Sequence, residues 1–116
     1  MENVREILNS FTGGLENLST TNPENVSAFM RLLDVSYKPK ALDLKTKELL
    51  SVAIGCYTRC KYCIVYHSYK AFEAGAKKEE IIEAAMVAVT FGGGPSMAYS
   101  ATLLQECIKE FEGDFK

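Results

Sequence analysis

The segment that most limits the possible folds of this chain runs from residue 84 to residue 105 and contains no charged side chain. A helix that crosses a membrane needs roughly 20 apolar residues, so the length alone would suffice. However, three consecutive glycines followed by Pro95 lie in the middle of the segment, and such a centre interrupts a helix. We therefore expect two buried helices joined by a tight turn, in a soluble protein without a membrane span.

Apolar residues recur at helical spacing along the whole chain, and no segment alternates as a half-buried strand does. The pattern predicts about six helices, over residues 4–18, 23–38, 43–56, 60–74, from 81 to the triple glycine, and 95–111. Asn22 and Asp43 suit the N-cap positions of the second and third helices, and Gly75 suits the left-handed position after the fourth. The length of 116 residues predicts a single all-α domain over 1–116.

Charge and composition narrow the possible partners. The formal net charge is -2 and no basic block occurs, which makes the phosphate backbone of a nucleic acid a poor partner. The first residues lack a basic stretch followed by an apolar core, as a secretory signal would have. We therefore expect a cytoplasmic protein that binds neither nucleic acid nor membrane.

A cluster of cysteines carries the chemical signal of the sequence. Cys56, Cys60 and Cys63 lie within eight residues, and His67, the only histidine, follows. With Cys60 at the start of a helix, Cys63 and His67 lie on its face at successive turns. A helix N-terminus stabilises a thiolate, two cysteines at this spacing can form a disulfide, and a nearby imidazole can accept the thiol proton. In a cytosolic chain the pattern favours a dithiol redox site, with Cys56 and the distant Cys107 as core residues.

Glu48 has two interpretations. It lies one turn from both Leu44 and Val52, and a carboxyl group buried among apolar neighbours favours its protonated form and could act as a base near neutral pH. It also ends the charged segment 45–48, where an acidic residue near a helix start is ordinary capping chemistry. From spacing alone, capping is the favoured interpretation.

Two metal hypotheses compete with the redox site. Cys60, Cys63 and His67 could bind zinc with Cys56 as the fourth ligand, but structural zinc sites usually draw ligands from two separated clusters. The spacing Cys56-X3-Cys60-X2-Cys63 is also that of radical S-adenosylmethionine enzymes, whose partial β/α barrel a short chain without strands cannot build. The sequence therefore predicts no metal and no prosthetic group.

Taken together, these motifs resemble the alkylhydroperoxidase D-like, or carboxymuconolactone decarboxylase-like, superfamily. The resemblance rests on Ala-Leu-Asp at 41–43, Lys45, Lys-Glu-Leu-Leu at 47–50, and Cys60, Cys63 and His67, with Cys60 twelve positions after Glu48. It implies an all-α fold with a redox site on a helix pair near a subunit contact, and homo-oligomers, commonly trimers or hexamers. The run of apolar residues at 84–89 agrees, since a small domain has limited interior to bury it.

The resemblance also implies roles for individual residues. Cys63 would be the peroxidatic cysteine, Cys60 the resolving cysteine, and Glu48 and His67 a proton relay, which makes Glu48 a site residue rather than a cap. The substrate would be a hydroperoxide or a disulfide, and the reductant a dithiol such as a lipoyl-domain or thioredoxin-like protein. The redox branch has a histidine where this chain has Tyr62, a much weaker base near neutral pH, which predicts a shorter relay or slower turnover.

Two other functions remain open at this stage. One is a lyase of the decarboxylase type that acts on a carboxylated lactone, although that branch does not use a Cys-X-X-Cys pair. The other is a redox-sensing module without catalysis, in which the disulfide alters assembly.

Overall fold

The computed structural model describes residues 3–116, and all regular structure in that range is helical. The helices are α1 Val4–Ser19, α2 Pro23–Tyr37, α3 Leu44–Thr58, α4 Lys61–Glu73, α5 Lys78–Ala101 and α6 Leu103–Phe111, followed by a short 3₁₀ helix, Glu112–Phe115. Since no strand occurs in the described residues, the expected all-α fold with six α-helices is confirmed.

Local capping chemistry explains where several helices begin and end. The Asp43 side chain accepts a hydrogen bond from the Thr46 N–H at 2.8 Å and starts α3, as the sequence predicts. Asn22 lies at the N-cap position of α2, but its side chain forms no capping hydrogen bond, and Pro23 supplies the helical start. Gly75 follows the C-cap residue of α4 and has a positive φ of 93°. It therefore has the left-handed position that the sequence predicts for the end of this helix.

The boundary between the last two helices differs from the prediction. The expected break at the glycines is present, because Gly93 has non-helical angles (φ 65°, ψ -143°) and α5 consists of two helical segments joined across this kink. The chain leaves helical geometry a second time at Thr102. A helical segment does begin after the kink, as the prediction of a helix over 95–111 requires, but that segment ends at Thr102, and the prediction missed this second break. Gly93, with its positive φ, separates the two segments of α5. At the second break the β-branched Thr102 donates its hydroxyl back to the Ala98 carbonyl at 2.8 Å.

The core forms around α3, which packs against both α4 and α5, while α4 also packs against α6. Buried side chains recur on one face of each of these helices, and burying an aliphatic or phenyl side chain contributes about 1.5–3 kcal/mol. The largest fully buried apolar side chains are Val52, Ile64, Val65, Ile81, Leu104 and Phe111. This packing fixes the relative position of α3 and α4, the two helices that carry the predicted site residues.

In contrast, α2 has no buried residue. Val26, Phe29, Met30 and Leu33 recur at helical spacing and form an apolar stripe on this helix. Phe29 and Met30 are exposed in the single chain, and the neighbouring Leu32 is 60% exposed. The helix therefore forms as the sequence predicts, but its stripe covers no part of the core. An amphipathic helix whose apolar face stays exposed marks a surface for further contacts.

Among the described helices, α5 alone has the length and hydropathy to cross a membrane. Length and composition are weak evidence for a membrane span, and the kink at Gly93 interrupts the helix. Only 22% of an 18-residue apolar stretch of α5 is buried, and Phe91 is 80% exposed. The soluble character expected from the sequence stays a prediction, and α5 presents a second apolar surface.

Candidate active site

Cys60 and Cys63 are joined by a disulfide at the start of α4. The chain turns between α3 and α4 at Arg59, which adopts the left-handed conformation (φ 57°), and Cys60 is the N-cap residue of α4. The Cys63 N–H donates a hydrogen bond to Cys60 Sγ at 3.2 Å, as an N-cap side chain normally accepts. The sulfur of Cys60 therefore sits where the helix N-terminus favours negative charge.

A glycine allows α3 to approach this disulfide closely. A Cβ atom at Gly55 would lie 3.2 Å from the Cys63 Cβ, 3.2 Å from the backbone nitrogen of Ile64 and 3.3 Å from an Ile64 side-chain carbon. These distances are shorter than an ordinary van der Waals contact, and one of the atoms belongs to the backbone. Gly55 thus keeps the start of α4 against α3 at a distance that a larger residue would increase.

The structure brings Glu48 and His67 together. The carboxylate of Glu48 and Nδ1 of His67 are 2.7 Å apart, and the Glu48 side chain is buried on the face of α3 that meets α4. Since Asp43 caps α3, Glu48 does not have the capping position that spacing alone favoured. The bond to Glu48 favours the imidazole form with its proton on Nδ1, which leaves Nε2 to exchange protons.

Two aromatic rings that the sequence analysis did not assign to the site enclose His67. Tyr37, the last residue of α2, stacks on the imidazole with ring centroids 5.6 Å apart and an interplanar angle of 17°. Tyr66 meets the same ring edge-on at 5.1 Å. Tyr66 could have been suspected as the neighbour of His67 on α4, whereas nothing in the pattern of α2 connects Tyr37 with a residue two helices away.

A cavity of about 520 Å³ opens beside the Glu48–His67 pair. Its apolar wall comes mainly from α2, and charged side chains stand at several places around it. The lining residues are Met30, Leu33, Asp34, Val35, Tyr37, Lys38, Leu44, Glu48, Tyr66, His67, Lys70 and Glu73. The volume suits a small organic molecule, and the acid–base pair faces it while both cysteines lie outside its lining.

The other two cysteines are buried thiols, as the sequence predicts. Burial raises the pKa of Cys56, and it raises the pKa of Cys107 to about 12, although hydrogen bonds with Ser100 and Ser68 offset part of each rise. A thiol with so high a pKa is inert as a nucleophile near neutral pH. Within residues 3–116, no three His, Cys, Asp or Glu side chains are grouped so that they could hold a metal ion.

Comparison with known proteins gives a consistent assignment. The sequence model of the carboxymuconolactone decarboxylase family matches residues 23–106. A protein of unassigned function from the cox locus of Paracoccus denitrificans is 38% identical over 86 residues, which is 74% of this chain and 77% of that protein.

Two solved structures are similar over nearly the whole chain. A carboxymuconolactone decarboxylase family protein from Legionella pneumophila, solved in its apo form, has 35% identity and a TM-score of 0.88 over 94% of this chain and 96% of its own. A family member from Thermotoga maritima, described as a candidate for the antioxidative response, has 29% identity and a TM-score of 0.72 over 92% of this chain and 97% of its own.

Proposed function

The chain belongs to the carboxymuconolactone decarboxylase family, and from that premise we propose that it is a thiol-dependent peroxidase and disulfide oxidoreductase with an antioxidant role. The observation that carries the proposal is the Cys60–Cys63 disulfide, four residues before the histidine that contacts Glu48. A dithiol that closes across one helical turn, next to a proton acceptor, has the parts that peroxide reduction needs.

The proposed cycle begins with the Cys63 thiolate, which attacks a hydroperoxide. The S–O bond forms as the O–O bond breaks, which gives a sulfenic acid on Cys63 and an alkoxide that becomes an alcohol on taking up a proton. Cys60 then attacks the sulfenic sulfur, so that the disulfide forms and the oxygen leaves as water. Two exchanges with an external dithiol restore both thiols and leave that dithiol oxidised.

His67 and Glu48 would supply the proton transfer in this cycle. His67 takes the proton of the Cys63 thiol and returns it to the leaving alkoxide, and Glu48 orients the imidazole and stabilises its charged form. The 2.7 Å contact and the burial of Glu48 support these roles, because a buried carboxylate with one partner acts strongly on that partner.

The position of Cys60 supports its role as the resolving cysteine. Its sulfur accepts the Cys63 N–H at the N-terminus of α4, where a thiolate is stabilised. A stabilised thiolate at Cys60 is available to attack the sulfenic acid, and it is also the better leaving group when a reductant attacks Cys63. The antioxidative context attached to the Thermotoga maritima relative agrees with this chemistry.

The proposed partners are a dithiol reductant, such as a lipoyl-domain or thioredoxin-like protein, and further copies of this chain as a trimer or hexamer. The exposed apolar residues of α2 and α5 support self-association, since single soluble chains rarely expose several such surfaces. A cytoplasmic location would fit, because regeneration of the dithiol needs a reducing compartment.

The direct test follows disulfide formation in reduced, metal-free protein after addition of a hydroperoxide, with rapid alkylation and peptide mapping. We expect the Cys60–Cys63 disulfide to form far faster than in denatured protein and to saturate at about one equivalent of peroxide. Cys63→Ser should abolish peroxide consumption. Cys107→Ala is the matched control, because it removes a buried thiol outside the site.

Full peroxidase activity in Cys63→Ser, or disulfide formation no faster than in the denatured chain, would contradict the proposal. Turnover of a carboxylated lactone by the Cys60→Ser, Cys63→Ser double variant would instead identify a lyase of the decarboxylase type. Oligomer size that changes with the disulfide while no substrate turns over would identify a redox-sensing module.

A further inference from the structure

His67 is held on three sides. Its Nδ1 faces Glu48 of α3 at 2.7 Å, the ring of Tyr66 meets it edge-on, and the ring of Tyr37 covers one face nearly in parallel. Glu48 and Tyr66 belong to the packed helices α3 and α4, which the core fixes in place. Tyr37 comes from α2, a helix without buried residues. The third contact of the imidazole therefore comes from the one α-helix among the described residues that has no buried residue.

The hydroxyl of Tyr37 attaches that ring to α3. It forms a short hydrogen bond with Oγ of Ser51, one turn after Glu48. Ser51 donates its own hydrogen to the carbonyl of Lys47 at 2.8 Å, so the tyrosine must be the donor in the bond between the two hydroxyls. Burial raises the pKa of Tyr37 by more than the hydrogen bond with Ser51 lowers it, and the charge of Glu48 adds to the rise, which keeps this donor protonated.

We propose that Tyr37 is a positioning residue for His67, which it holds in the orientation where Nδ1 donates to Glu48 and Nε2 remains the proton-exchanging nitrogen. The ring blocks rotation of the imidazole on one face, and the Ser51 bond keeps the ring at a fixed distance from α3. An aromatic face about 6 Å or less from a cation also stabilises that cation, which favours the imidazolium formed when His67 accepts a proton. The kinetic part of this inference rests on the proposed function, and the structural part does not.

The test uses the fact that His67 is the only histidine, so that nuclear magnetic resonance of the imidazole reports on one residue. The ¹⁵N shifts and couplings of the ring at about pH 8 identify which nitrogen carries the proton. Tyr37→Phe keeps the stacked ring and removes the Ser51 bond, whereas Tyr37→Leu and Tyr37→Met remove the ring face. Two substitutions without the ring are used because either one alone could fail to fold.

We expect the parent chain to hold the proton on Nδ1, Tyr37→Phe to keep that form, and the Leu and Met variants to give a mixture of both tautomers. In peroxidase assays the Leu and Met variants should lose about tenfold in kcat with little change in KM, while Tyr37→Phe stays within about threefold of the parent. Tyr69→Leu is the matched control, because Tyr69 packs on Phe111 and Phe115. It should leave the imidazole signals unchanged.

Unchanged tautomer signals in the folded Leu or Met variant would overturn the proposal, whatever the activity. A tautomer change of equal size in Tyr69→Leu would also overturn it, since the effect would then reflect general loosening of the fold. The parent chain could also reduce no hydroperoxide while the Leu and Met variants still change the tautomer. That result would support the positioning role and reject the proposed function, so the two failures are distinguishable.

Discussion

The chain has two pairs of cysteines in very different surroundings. Cys60 and Cys63 lie at the start of α4, partly accessible, with a backbone N–H donated to one sulfur. Cys56 and Cys107 are 0% exposed and have raised pKa values. Cys56 is only four residues before Cys60, yet it lies inside α3 while Cys60 begins the next helix. Helix ends and burial, rather than closeness in sequence, therefore decide which thiols can react.

The largest expected difference between the two pairs is in thiol reactivity. In the folded, reduced protein at about pH 8, Cys60 and Cys63 should react with a thiol reagent at least about a hundredfold faster than Cys56 and Cys107. Denaturant should make all four equally reactive. Time-resolved alkylation with mass spectrometry measures the four rates, and a fast Cys107 in folded protein would refute the contrast.

A smaller effect is expected from removing the carboxylate charge beside His67. Glu48→Gln keeps the shape of the side chain but cannot stabilise a charged His67, so peroxidase kcat should fall about ten- to a hundredfold. Glu73→Gln is the control, since Glu73 lines the same cavity but pairs with the exposed end of Lys70. Steady-state rates of peroxide consumption compare them, and an equal loss in both variants would mean that Glu48 acts only through the general charge of the cavity.

The buried pair should be visible in alkaline stability. The pKa of Cys107 rises to about 12 in the folded chain, so between about pH 9 and pH 12 the folded state keeps a proton that the unfolded state has lost. Stability must then fall as pH rises through this window, by about 2 kcal/mol near pH 10.5 from this thiol. Urea unfolding of Cys107→Ala should show a shallower decline with pH than the parent. An identical slope would show that this thiol is not shifted.

The smallest effects concern the helix contact behind the reactive pair. Gly55→Ala should lower stability by about 1 kcal/mol, because the new methyl group meets Cys63 and the backbone of Ile64. Gly14→Ala in α1 has no atom within 4 Å of the new Cβ and should raise stability by up to about 1 kcal/mol, the ordinary helix preference for alanine. If the contact is as tight as the distances indicate, the urea midpoint of Gly55→Ala falls below that of the parent and the midpoint of Gly14→Ala rises above it.

Much of the fold was predictable because its signals are local. Helix starts at Pro23 and Asp43, the left-handed Gly75 and the start of α4 at Cys60 all follow from the residues themselves. The break at the glycines was also predicted and occurs at Gly93, whereas the second break at Thr102 was missed because no glycine or proline marks it. Tertiary packing overrides local helix preference, so a break at a residue such as Thr102 is not encoded by a local pattern.

The site was predictable in part for the same reason. The spacing of Cys60, Cys63 and His67 places them on one helix start, whereas the environment of Glu48 depends on how α4 packs on α3. Spacing alone therefore favoured a cap for Glu48, and only the family resemblance favoured a site residue. The stacking of Tyr37 on His67 brings together residues from α2 and α4, so it depends on tertiary structure alone.

Gly55 lies seven residues after Glu48, about two turns of α3, so the carboxylate and the glycine share one face. This spacing fixes the position of α4 along α3, because Glu48 contacts His67 and Gly55 lies against Cys63. Inserting or deleting one residue between them would rotate Glu48 away from His67 by about 100°. Chains descended from this one that retain the site should therefore accumulate length changes in the connection at 38–43 or around the kink in α5, and none between positions 48 and 67.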